Sequence, residues 1–141
     1  MLSSFRFLLL PLVLSMVFAQ PADESRRLPV PNRVDTQVVP KALLGKSFMP
    51  GGTLGNYKKG AKTYQMFVAQ LKDSTTAAIL LLDWRKALTG SKLVPSFGGY
   101  FGTDGGRPVF VFTRGPWMAG VVGLSEAEAD AEARLLALRL K

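Results

Sequence analysis

The apolar and polar positions read clearly from residue 63 onward and poorly before it. Between Thr63 and Leu71, Tyr64, Met66 and Val68 alternate with Gln65, Phe67 and Ala69. That period of two is the mark of a strand. From Thr75 to about Thr89, Ala77, Leu80, Leu81, Trp84, Ala87 and Leu88 recur at helical spacing, with Asp83 and Lys86 on the other side. Asp73 or Ser74 supplies an N-cap oxygen for the free amides of that helix, and Gly90 supplies a left-handed stop.

Residues 91–124 read as a meander of three strands. Leu93–Phe101 is the first, bent at Pro95 and Gly98–Gly99, and Thr103–Gly106 is a turn signal. Val109–Thr113 is apolar on both sides, Phe110 and Phe112 against Val109 and Val111. A strand of that kind is covered on both faces or presents one for use. Trp117–Val122 is the third. Ser125 and Glu128 then form the capping box of a last helix, with acids early and bases late as the helix dipole favours. Its stripe is Ala129, Ala133, Leu136 and Leu140.

The earlier part is punctuated rather than patterned. Pro21, Pro29, Pro31 and Pro40 favour an extended tether over residues 20–46. Met49–Gly60 carries Gly51, Gly52, Gly55 and Gly60 and reads as a loop, with room for a short strand at Thr53–Tyr57. The expected fold is therefore α+β. A four-stranded, mostly antiparallel sheet carries two helices on one face, in the order strand–helix–strand–strand–strand–helix, preceded by the Pro-rich tether. Residues 47–141 form the single domain.

The first nineteen residues are of another kind. A basic start at Arg6 leads into an apolar run from Phe7 to Phe18, and Val17 and Ala19 are small residues at the minus-three and minus-one positions of a cut before Gln20. This is the layout of a secretory signal peptide. The run falls short of the roughly 20 residues a bilayer span needs. Residues 1–19 are thus expected to be removed, and the chain to be secreted or periplasmic with no transmembrane span left. The chain has no cysteine. An exported domain without disulfides suits a bacterial envelope better than a stapled eukaryotic module.

Composition narrows the chemistry further. Histidine is absent as well, which removes thiolate and imidazole metal sites and every Cys- or His-based nucleophile. No metal and no cofactor are expected. The chain carries a net +8. The excess is concentrated: Arg26 to Lys72 holds nine basic residues and one acid, Asp35, whereas Asp73 to Lys141 holds eight and seven. Such asymmetry points to an anionic partner, and for an exported chain to an envelope component or an acidic protein face rather than nucleic acid.

Two groups of residues are candidates. Tyr57, Lys58, Lys59 and Lys62 form an anion-binding lip on a glycine-flanked turn. Tyr100 and Trp117 belong to an aromatic-rich stretch that stacks on a ligand if it is exposed. Gly55–Thr63 resembles a phosphate-binding loop, but Ala61 separates the second glycine from the lysine and a strand follows where a helix is needed. Paired carboxylates facing one cleft would serve glycoside hydrolysis, but Asp73 and Asp104 are better used as cap and turn. The expected function is a non-enzymatic binding or accessory module of the cell envelope. The alternative is a small hydrolase or transferase using Asp83, Tyr100 or a lysine.

Overall fold

The computed structural model describes residues 20–141; the expected signal peptide over 1–19 lies outside the described residues. Seven strands and two helices follow one another along the chain. They are β1 (Arg33–Lys41), β2 (Pro50–Lys59), β3 (Lys62–Gln70), α1 (Ser74–Ala87), β4 (Thr89–Val94), β5 (Gly99–Asp104), β6 (Arg107–Arg114), β7 (Trp117–Val122) and α2 (Glu126–Ala137). All seven strands join in a single sheet ordered β1-β2-β3-β7-β6-β5-β4, and every neighbouring pair is antiparallel. Among the described residues, no helix is long and apolar enough to cross a membrane.

Both helices start where local chemistry places them. The Asp73 carboxylate accepts the Thr76 amide at 2.7 Å, and the Ser125 hydroxyl accepts the Glu128 amide at 3.4 Å. Each helix then buries its stripe on a different side of the sheet. Leu80, Leu81 and Trp84 of α1 pack in one cluster with Val109, Val111, Phe67 and Met118. Ala129, Ala133 and Leu136 of α2 pack in another with Phe110, Phe112, Met66 and Val121. The doubly apolar β6 is the shared wall: its phenylalanines face α2 and its valines face α1.

The expected four-stranded sheet with both helices on one face is therefore corrected on two points. The sheet has seven strands, and the helices cover opposite faces. The two-sided β6 accounts for this, because helices on one face of a lone chain would leave either the phenylalanines or the valines in water. The structure remains α+β, with about twice as many residues in strands as in helices.

The Pro-rich tether is corrected too. Residues 33–41 form the edge strand β1, and Leu28 and Leu43 on either side are fully buried. Pro40 is tolerated because an edge strand can leave an amide unpaired. The glycine-rich segment expected as a loop with a short strand at Thr53–Tyr57 is strand along ten residues, β2. Its glycines answer to close packing: a β-carbon on Gly52 would lie 2.5 Å from the Val68 carbonyl oxygen. The expected first strand of the meander divides at the turn around Ser96–Gly98 into β4 and β5.

Candidate functional site

The β2–β3 hairpin carries the expected lip, and strand alternation divides it. Lys59 pairs with Lys62 and Tyr57 with Tyr64 on the α2 side, whereas Lys58 pairs with Thr63 on the α1 side. Tyr57 is not at the surface. It is 2% exposed, its hydroxyl donates to the Pro29 carbonyl at 2.6 Å, and its ring stacks on Tyr64 at 5.1 Å. Burial pushes its phenol far above the ordinary tyrosine range. Lys62 donates to both carboxylate oxygens of Glu128 at 2.8 Å, so its charge is already met. That contact, with the Ser125 hydroxyl, holds the Glu128 carboxyl below its ordinary pKa. Lys58 and Lys59 remain exposed on opposite faces.

The two aromatic candidates are also on different faces. Trp117 is 3% exposed and packs on the α2 side, with the Arg27 guanidinium 4.2 Å from its ring centroid. Tyr100 is half-buried against the α1 cluster, with Arg85 over its ring at 5.6 Å. Each ring is already covered by a cation, and the two do not form one stacking surface.

One arrangement at the same end of the sheet was not visible in the sequence. On the α1 face, α1 covers β4 to β7, and the Leu43–Met49 segment packs into the same cluster as Leu54 and Phe67. Beyond them the face bears a row of polar side chains. Arg107 donates to Gln65 Oε1 at 3.1 Å, Gln65 Nε2 donates to Asn56 Oδ1 at 2.9 Å, and Asn56 Nδ2 donates to Asp35 at 2.6 Å. The row crosses the sheet from β6 to β1. Its direction is dictated by its ends, since a guanidinium can only donate and a carboxylate can only accept. Bonds so aligned polarise one another. Val34, Asn56, Lys58, Thr63, Gln65 and Arg107 line a groove of about 360 Å³ over this row. Arg107 and Lys58 supply its positive charge, and neither forms an ion pair among the described residues.

Two other concavities are poorer candidates. A larger, open one of about 470 Å³ lies between Phe97, Arg114 and α2. Its Arg134 is held by Asp130 at 2.6 Å and lies 5.4 Å from the Phe97 ring centroid. A cleft of about 120 Å³ between the hairpin and α2 is lined by Lys59, Lys62, Tyr64, Glu128 and Glu132. Burial raises the Glu132 carboxyl above its ordinary value.

The carboxylates are nearly all occupied. Glu24, Asp104, Glu126, Glu128 and Asp130 are in ion pairs, Asp23 and Asp73 accept backbone amides, and Asp35 ends the polar row. Asp83 and Glu132 are left without a hydrogen-bond or ion-pair partner among the described residues. They stand on α1 and α2, on opposite faces of the sheet. No protein-family model matches the chain, and no curated protein matches it in sequence.

Proposed function

We propose that the chain is an exported, non-enzymatic binding module of the bacterial envelope that recognises an anionic partner. The observation that carries this reading is the allocation of charge. The acids are spent on caps, ion pairs and the polar row, while Lys58 and Arg107 line one groove with no ion-pair partner among the described residues. The two spare carboxylates, Asp83 and Glu132, are separated by the sheet and so do not face each other across a cleft, as two-carboxylate hydrolysis requires. Export rests on the basic, apolar and small-residue order of residues 1–19.

Two measurements test the proposal. Intact mass of the protein recovered from the periplasm or medium is expected to begin at Gln20; a species retaining Met1 would overturn export with cleavage. Calorimetric titration of residues 20–141 with phosphatidylglycerol vesicles and with oligogalacturonate, over a salt series, is expected to give saturable, salt-weakened binding to at least one. Binding to neither at low salt would refute an anionic partner.

A further inference from the structure

We propose that the groove over the Arg107–Gln65–Asn56–Asp35 row is a binding site for a carboxylated saccharide. This deepens the anionic-partner reading and rests on it. The row satisfies only part of each side chain's capacity. A primary amide offers two N–H donors and two lone pairs. Gln65 and Asn56 each use one donor and one acceptor site within the row, so each retains one of both kinds. A sugar hydroxyl also donates and accepts, and it can meet both vacancies at once.

The row holds these amides in place before any ligand arrives. Asn56 and Gln65 are paired across β2 and β3, both are half-buried, and their orientation is set by the charged ends. Ligand binding then costs little side-chain entropy. The Thr63 hydroxyl adds a further donor and acceptor at the groove wall, and Val34, 64% exposed, offers an apolar edge for a sugar's C–H face.

The charge pattern calls for one carboxylate rather than a sheet of charge. Arg107 uses one of its N–H groups on Gln65, leaving others for a carboxylate in fork geometry, and Lys58 adds a point charge in the same groove. Asp35 sits at the far end of the row. Its negative charge opposes a flat anionic membrane surface but suits the hydroxyl-bearing part of a sugar. A lipid headgroup layer therefore fits this groove less well than an acidic sugar unit.

The test uses isotope-labelled residues 20–141 and three probes: a short oligogalacturonate, its neutral methyl ester and phosphatidylglycerol vesicles. The side-chain NH₂ signals of Asn56 and Gln65 report the site directly. Oligogalacturonate is expected to shift both signals, and Arg107→Gln or Lys58→Gln each to weaken binding about fivefold while the backbone spectrum stays folded. The methyl ester should bind about tenfold more weakly. Unmoved amide signals at millimolar oligogalacturonate, or equal binding of the methyl ester, would overturn the site. Vesicle binding that depends on Lys58 and Arg107, without oligogalacturonate binding, would leave the anionic-partner reading standing and refute the saccharide. Binding of neither charged probe would refute both.

Discussion

Replacing Trp84 with alanine tests the architecture at its most heavily packed point. The indole is fully buried under α1. It stacks on Phe67 at 6.1 Å, meets Phe48 edge-on at 5.3 Å, and donates its N–H to Met49 Sδ at 3.2 Å. Its removal takes one aromatic wall from three segments, β3, α1 and the Leu43–Met49 region. A cavity between a helix and a paired sheet closes poorly, so the loss should be about 3–5 kcal/mol. With a urea slope near 2 kcal/mol per molar, the midpoint should fall by about 1.5–2.5 M. Far-UV circular dichroism is the suitable readout, because Trp84 fluorescence is lost with the residue. Trp84→Phe, which keeps a ring and loses only bulk and the N–H, should cost about 1–2 kcal/mol. A midpoint change worth less than about 1 kcal/mol for Trp84→Ala would refute burial of this stripe against the valine side of β6.

The remaining predictions concern the packing of β7 and the acid on α2. A β-carbon on Gly120 would lie 2.6 Å from the Phe67 ring and against the Phe110 carbonyl oxygen, so Gly120→Ala should destabilise by about 1–3 kcal/mol in the same urea assay. Burial raises the Glu132 carboxyl, which Lys59 only partly offsets, so the folded chain holds this proton more tightly than the unfolded one. That stabilisation is complete at acid pH and is lost as pH rises through the raised value. Glu132→Gln should therefore be more stable than the parent at neutral pH, with the difference vanishing by about pH 4 on repeating the denaturation across pH.

What the sequence revealed was what depends on near neighbours. Ala77 to Trp84 and Ala129 to Leu140 repeat at helical spacing, and Asp73 and Ser125 mark the starts, so both helices were legible within a residue or two at most ends. The β6 alternation signals two apolar faces, which two helices on one side cannot cover. β1 was missed because its surface is mostly open, which erases the alternation, and because Pro40 reads as a breaker. β2 is legible only as a short strand at Thr53–Tyr57 within a loop, because a glycine that makes room for a neighbour looks the same as one that makes a turn. Gly51 is such a case, with the Pro40 carbonyl oxygen where its β-carbon would go.

The candidate site suffered from the same omission. Once β2 reads as a loop, nothing separates Lys58 from Lys59, although a strand sends them to opposite faces. Asp35, Asn56, Gln65 and Arg107 are far apart in the chain and meet only through register, β1 on β2, β2 on β3, and β6 across β7. No local pattern could have assembled them.

The central functional claim is that one end of the α1 face, and not net charge alone, meets the anion. Two charge-matched variants compare directly: Lys58→Gln with Arg107→Gln in the groove, and Lys72→Gln with Arg114→Gln at the opposite end of the sheet. Affinity for whichever anionic probe binds the parent is measured for both at low and moderate salt. The groove pair is predicted to lose about tenfold to thirtyfold and to show a flatter salt dependence, at roughly 1 kcal/mol per cation. The distal pair should stay within about twofold of the parent. Equal weakening of both pairs would contradict the account, because diffuse positive charge would then be enough.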